Sequence, residues 1–166
     1  MMRVLLAVFI LLSGCAQLPQ PTPIAQKEAI GIAGRLSITQ PGRRDTGGFR
    51  YDRLENEQRW VFFGPTGGEL GQLQIRPDGA SWTPSKGTAL YATDAQALSQ
   101  QALGIQVPLQ RAGDWLMGQM PSPDELSPWT LRYTQQDELG RPRIIDLNNA
   151  EVRLRAVIKT WQYSPN

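Results

Sequence analysis

The chain has 166 residues, with 17 Lys or Arg against 15 Asp or Glu, one cysteine and no histidine. This length is sufficient for one domain with a substantial core, and the near-neutral charge argues against nucleic acid as a partner. Without histidine, Ser-His-Asp triads and most zinc sites are excluded, so an enzyme would depend on carboxylates, Lys or Tyr. No metal, cofactor or catalytic residue is expected.

The N-terminal segment has the layout of an exported precursor. Arg3 precedes nine apolar residues, Val4 to Leu12, which rise about 14 Å as a helix, too short for a ~30 Å hydrocarbon core. Leu12-Ser13-Gly14-Cys15 looks like a bacterial lipobox, in which the thiol is lipidated and the chain is cut before Cys15. We therefore predict a lipoprotein signal peptide at residues 1–14 and lipid attachment at Cys15. The alternative is an ordinary signal peptide with a chance cysteine.

Removal of the signal peptide leaves 166 − 14 = 152 residues, which begin with a proline-rich stretch. Residues 16–26 (AQLPQPTPIAQ) contain three prolines and no charge, a composition that favours an extended tether. We predict a lipid-anchored flexible linker at residues 15–27 and a single domain at residues 28–166. Ala16 rather than Asp follows the cysteine, which under the usual bacterial sorting rule favours the periplasmic face of the outer membrane.

Apolar residues recur at every second position along about six segments from Ile32 to Tyr91, as in antiparallel strands with one buried face. Pro77-Asp78-Gly79 separates two of these segments, because proline presets φ and glycine accepts a positive φ in a turn. Residues 40–48 (QPGRRDTGG) are interpreted as a longer, turn-rich connection.

Two short amphipathic helices are predicted next, because the apolar spacing changes to three or four residues. The first begins at Thr93, which can form a capping box with Gln96, and it ends at Gly104. The second begins near Pro108, a favoured first-turn residue, and ends at Gly118.

Strand-like alternation resumes at Trp129, after a predicted loop at residues 120–128 that contains three prolines. The last strand, residues 152–159, shows the clearest alternation of apolar and basic side chains. Eight to eleven strands are expected in total. The fold class is therefore mainly β, an antiparallel sheet curved into a barrel or half-barrel, with the two helices over one opening.

Several motifs occur in a characteristic order along the chain. They are the lipobox at Cys15, Gly34-Arg35-Leu36-Ser37, Phe62-Phe63-Gly64-Pro65, Val107-Pro108-Leu109, Asp114-Trp115-Leu116-Met117-Gly118 and residues 152–161 (VRLRAVIKTW). In this order and spacing the chain resembles the LolB family, outer-membrane lipoproteins that receive other lipoproteins from a periplasmic carrier and insert them into the outer membrane. The resemblance implies a LolA/LolB-like fold, an incomplete, unclosed antiparallel β-barrel with a short helical lid over an apolar cavity for acyl chains.

Periodicity alone does not distinguish a packed core from a ligand cavity, whereas the resemblance favours the cavity. The candidates for its wall are apolar side chains on the inward strand faces and on the two helices. They are Leu36, Ile38, Phe49, Tyr51, Trp60, Phe62, Leu73, Ile75, Leu98, Leu109, Trp115, Leu116, Leu131, Tyr133, Ile145, Leu147, Leu154 and Ile158.

The loop that begins at Gly64 corresponds to a protruding turn that in the family carries a leucine at its tip, used to hand acyl chains to the membrane. Thr66 stands at that position here, and a threonine contributes little to insertion. The candidate membrane-insertion loop therefore consists of Pro65, Thr66, Gly67 and Leu70, with contact expected at Pro65 or Leu70 rather than at Thr66.

The resemblance implies three partners: a LolA-like periplasmic carrier, lipoprotein cargo bound through its acyl chains, and the outer membrane, reached through the chain's own lipid. We expect a monomer. Two alternatives remain open, a passive structural envelope lipoprotein and a carboxylate-dependent envelope hydrolase using Asp124-Glu125 or Asp137-Glu138. An open apolar cavity would disfavour the first, and a cleft holding a carboxylate of raised pKa would support the second.

Overall fold

The computed structural model describes residues 29–164, so the predicted signal peptide, Cys15 and the linker lie outside the described residues. The strands of the described part are β1 (Ala29–Gln40), β2 (Arg43–Leu54), β3 (Glu57–Phe63), β4 (Glu69–Arg76), β5 (Gly79–Pro84), β6 (Leu90–Ala92), β7 (Thr130–Gln136), β8 (Pro142–Asn148) and β9 (Arg153–Ser164). They form one antiparallel sheet in the order β6-β5-β4-β3-β2-β1-β9-β8-β7. β6 and β7 end this order without pairing with each other, which confirms the predicted unclosed barrel.

Three short helices lie between β6 and β7: α1 (Ala95–Leu103), α2 (Ala112–Leu116) and α3 (Pro123–Leu126). A single 3-10 turn, Leu109–Arg111, leads into α2. Among residues 29–164, no helix combines the length and the apolar character needed to cross a membrane.

The start of α1 differs from the predicted capping box. The N-cap residue is Asp94 rather than Thr93, because the Asp94 carboxylate accepts a hydrogen bond of 2.7 Å from the backbone N–H of Ala97. Asp is as good an N-cap as Ser and better than Thr, and it satisfies one of the free amide groups of the first turn. The predicted end at Gly104 is confirmed, with φ of 73° in the left-handed region.

The interpretation of residues 40–48 as a turn-rich connection is wrong. Only Pro41 and Gly42 form the turn, where Gly42 has φ of 73°, and β2 already begins at Arg43. Pairing of residues 43–48 with β1 satisfies their backbone groups, which outweighs the poor strand propensity of the glycines. Gly47 suits this place because a Cβ atom there would collide with the backbone oxygen of Phe63.

The predicted loop at residues 120–128 contains one helical turn, α3, which the proline count concealed. Pro123 occupies the first helical position, where its missing N–H costs nothing. Leu126 on this turn is buried, so a contact with the core stabilises a segment too short to be helical alone.

Most of the outer sheet face is solvated, but Asp146 of β8 is only 5% exposed. Its carboxylate accepts hydrogen bonds from Arg155, 2.6 Å from Nε and 3.0 Å from Nη2, and lies 3.3 Å from the hydroxyl of Thr134. These bonds, chiefly those from Arg155, hold the pKa of Asp146 below its ordinary value. The pair therefore stabilises the fold above the ordinary carboxyl pKa, and this contribution is lost as pH falls through the lowered pKa.

We expect Asp146→Asn to lower the free energy of unfolding at pH 7 by about 1–3 kcal/mol, because charge-assisted hydrogen bonds to Arg155 are lost. The variant should also lose less stability than the wild type as the pH falls below about 4. Urea denaturation between pH 3 and 7 measures both effects. Asp52→Asn, which breaks the more exposed pair with Arg50, is the matched control and should change little. Equal pH dependence in wild type and Asp146→Asn would contradict the assignment.

Candidate functional site

The sheet and the helices surround a cavity of about 650 Å³. Its wall combines inward-facing strand side chains with the apolar sides of α1 and α2. Fourteen of the residues predicted for such a wall lie in it: Leu36, Ile38, Phe49, Trp60, Phe62, Leu73, Leu98, Leu109, Trp115, Leu116, Leu131, Ile145, Leu147 and Leu154. Those of the fourteen that belong to strands lie on β1, β2, β3, β4, β7, β8 and β9.

Four predicted wall residues lie outside the wall. Tyr51, Ile75 and Ile158 are at most 1% exposed and belong to the packed core rather than to the cavity surface. The hydroxyl of Tyr133 lies 3.0 Å from the carbonyl oxygen of Trp115, and burial raises the pKa of Tyr133 to about 12. Tyr133 therefore connects β7 to the end of α2 through this hydrogen bond.

Sequence reasoning missed part of the wall, chiefly residues 43–48 at the beginning of β2 and one face of α1. Ala95, Ser99 and Ala102 line the cavity from α1, at the i, i+4, i+7 spacing of one helix face. Trp82 lines it from β5, and Val107 does so from the segment that follows α1. The helical spacing around Leu98 could have identified the wall residues of α1. Their small side chains leave cavity space that larger side chains would fill.

Aromatic rings form a continuous part of the wall. The ring centroids of Phe49 and Trp60 are 5.8 Å apart, those of Trp60 and Phe62 are 6.2 Å apart, and those of Phe62 and Trp82 are 5.9 Å apart. Contacts at these distances are favourable beyond the burial of their area, and they hold the rings in place. This side of the cavity is therefore preformed, whatever occupies the space.

The cavity opens at one end of the barrel, which we call the mouth. The mouth consists of the lining residues that are exposed to solvent: Arg43, Arg44, Asp45, Thr46, Pro65, Leu70, Ala102 and Leu103. They belong to the beginning of β2, the β3–β4 connection, the beginning of β4 and the last turn of α1.

Polar contacts hold α2 against the sheet at the other end of the barrel. Arg53 of β2 forms an ion pair with Asp114 of α2, at 2.5 Å between Nη2 and Oδ1. Gln58 donates from Nε2 to the Gln110 carbonyl oxygen at 2.7 Å and accepts from the Gly113 N–H at 3.2 Å. These bonds close the end of the barrel opposite the mouth.

The carboxylates considered for a hydrolase do not border the cavity. Glu125 pairs with Arg111 at 2.8 Å, and Asp124 is exposed on α3. Burial alone would raise the pKa of Asp137, but hydrogen bonds from Arg141 and from the backbone hold it below its ordinary value. Within residues 29–164, no three His, Cys, Asp or Glu side chains are grouped so as to hold a metal ion.

The candidate membrane-insertion loop divides between the mouth and its surroundings. Pro65 and Leu70 border the cavity, whereas Thr66 and Gly67 are exposed and do not line it. Leu70 belongs to β4 and is 53% exposed, a large fraction for a leucine beside an apolar cavity.

An unclosed antiparallel barrel, with helices covering an apolar cavity that is open at one mouth, defines a binding protein for apolar ligands. The crystal structure of a LolA superfamily protein from Nitrosomonas europaea has the same fold, with a TM-score of 0.54 over 86% of this chain and 88% of that one. The two sequences are 12% identical, so this likeness concerns the fold alone.

Sequence comparison then identifies the family. Residues 28–130 match the family described as Outer membrane lipoprotein LolB. Proteins named outer-membrane lipoprotein LolB are 30% identical in Neisseria meningitidis, over 91% of this chain and 86% of the relative, and 28% identical in Bordetella petrii, over 90% and 85%. This chain belongs to the LolB family. Its members are lipoprotein-trafficking proteins and not enzymes, so the hydrolase alternative is set aside.

Proposed function

We propose that this chain is the outer-membrane receptor that takes lipoproteins from a LolA-like periplasmic carrier, holds their acyl chains in the cavity and inserts them into the outer membrane. The proposal includes an N-terminal lipid at Cys15, which keeps a monomeric domain on the periplasmic face. The observation that carries it is the open apolar cavity of about 650 Å³ between sheet and helices. Family membership supports it independently.

The chemistry of the wall suits acyl chains. Burial of hydrocarbon is favourable by about 0.8 kcal/mol per CH₂, and it has no directional requirement, so chains of different length and shape can share one cavity. The volume lies in the range of about 300–1,000 Å³ that is usual for ligand sites. Recognition of this kind depends little on the polypeptide part of the cargo, as a receptor for many lipoproteins requires.

A charge in the cavity wall is expected to weaken acyl binding. Leu116 of α2 lines the cavity and is 3% exposed, so Leu116→Asp would place a carboxylate beside the acyl chains. We expect at least a roughly tenfold loss of affinity, because an unpaired charge in an apolar site costs several kcal/mol. The measurement is displacement of a fluorescent fatty-acid probe from the domain by a triacylated peptide.

Leu139→Asp is the matched control, because Leu139 is 76% exposed and lies outside the cavity wall. Circular dichroism on both variants distinguishes lost binding from lost folding. Wild-type protein that takes up no probe would contradict the receptor function and favour a passive structural lipoprotein.

The tip of the β3–β4 loop provides a second test. We expect Thr66→Leu to increase transfer of lipoprotein into liposomes, because burying a leucine side chain in the membrane is worth about 1.5–3 kcal/mol. Thr66→Glu should reduce transfer only modestly, since Thr66 does not line the mouth. If Thr66→Glu abolishes transfer while acyl binding remains intact, the tip acts by something other than hydrophobic insertion.

A further inference from the structure

The inner face of β2 changes from apolar to charged at the mouth. Directly paired residues of neighbouring strands share a face. Gly47 pairs with Leu36, and Asp45 pairs with Ile38, so Asp45 lies on the side of the sheet that forms the cavity wall. Arg43, two residues before Asp45, lies on that same side.

Arg43 and Asp45 form an ion pair at the mouth. The distance from Arg43 Nε to Asp45 Oδ2 is 2.6 Å, and the side chains are 72% and 53% exposed. An ion pair this exposed contributes little to folding, so stability does not explain two charges on the cavity side of a strand. The Arg43 guanidinium has five N–H donors, and the ion pair with Asp45 is its one polar side-chain interaction within residues 29–164.

We propose that the Arg43–Asp45 pair binds the polar junction of the cargo, the ester and amide groups that join the acyl chains to the polypeptide. The inference rests on the proposed receptor function and specifies which part of the lipoprotein the mouth recognises. Ester and amide carbonyl oxygens accept from the guanidinium, and the carboxylate of Asp45 accepts from an amide N–H. Acyl chains inside the apolar cavity bring that junction to the mouth.

The charge of the pair favours a neutral, dipolar ligand over a phosphate. Asp45 offsets the charge of Arg43 and would repel an anionic headgroup placed between the two side chains. Ester and amide groups carry no net charge and need both donors and acceptors, which the pair offers on one strand face.

The test uses the full, lipid-anchored chain in nanodiscs of phosphatidylethanolamine, with empty discs as background. Two fluorescent probes are compared, a triacylated peptide and an analogue in which ether linkages replace both esters. Arg43→Gln is expected to lower affinity for the ester peptide about fivefold and to leave that for the ether analogue within about twofold. Arg43→Lys, which keeps the charge and a donor, should restore part of the difference.

Arg44→Gln is the matched control, since Arg44 also borders the mouth but pairs in register with Thr39 and takes no part in the ion pair. It should affect both probes equally. The inference is overturned if Arg43→Gln leaves both affinities unchanged or lowers them to the same extent. It is also overturned if Arg43→Gln and Arg44→Gln lose binding only when anionic lipid is added, because the two arginines would then contact the membrane surface rather than the cargo. Failure of the wild type to bind either probe would refute the receptor function itself.

Discussion

Cys15→Ala is expected to remove the protein from the outer-membrane fraction almost completely. The thiol is the only cysteine in the sequence and the proposed lipid attachment point. Each buried CH₂ contributes about 0.8 kcal/mol, so several acyl chains hold a protein in the bilayer effectively permanently, and the variant lacks the thiol that would carry them. Fractionation in the native host, with mass spectrometry of the mature N-terminus, measures the effect.

Ser13→Ala is the control for this experiment, because it alters the lipobox but keeps both a small residue and the cysteine. It should leave the membrane association unchanged. If Cys15→Ala still sediments with the outer membrane to the wild-type extent, lipid attachment at Cys15 is wrong. A version lacking residues 1–15 should still fold, since the strands begin at Ala29.

Gly113→Ala is expected to destabilise the closed end of the barrel by about 1–3 kcal/mol, as overpacking of a tight site does. A Cβ atom on Gly113 would collide with the hydroxyl of Tyr51 and come within 2.8 Å of Gln58 Oε1. Tyr51 is fully buried among core residues, so we expect α2 rather than the Tyr51 ring to move. Urea denaturation measures the loss of stability, and the acyl-probe assay measures the displacement of α2.

Tyr51→Phe makes this prediction specific. It removes the colliding oxygen, although the ring carbon that bears it would still lie 2.7 Å from the new Cβ. The double variant should therefore be more stable than the sum of the single effects predicts, by a coupling energy of about 0.5–3 kcal/mol. Gly68→Ala, where a Cβ would meet nothing within 4 Å, is the neutral control. Additive effects of Gly113→Ala and Tyr51→Phe would show that the two residues do not collide.

The alternation of apolar residues predicted the sheet well, because a repeat of two residues indicates which face of a strand each side chain occupies. It does not state how far along the barrel axis that side chain lies. Leu36 borders the cavity and Ile158 lies in the packed core, although both occupy inward positions of alternating strands. The difference depends on where the helices cover the barrel, and that is a tertiary property.

Composition misled the prediction where pairing decides the structure. The glycines and arginines of residues 43–48 suggested a turn, yet β1 offers a complete set of partners for their backbone groups. The ion pair between Arg43 and Asp45 shows the same limit, because both residues looked like part of a solvated loop. Only the strand register places them at the rim of the cavity.

The direction of β1 determines how a tethered domain can be oriented. β1 begins at Ala29 and reaches the mouth end at Gln40, about 36 Å further on at the usual rise of a strand. A lipid at Cys15 is 29 − 15 = 14 residues from Ala29, which is at most about 50 Å of extended chain. The maximum reach exceeds the strand length by about 14 Å, so the mouth can turn towards the bilayer only if most of the linker extends alongside the barrel. Shortening the linker by about five residues would make it shorter than the strand and would hold the mouth facing the periplasm.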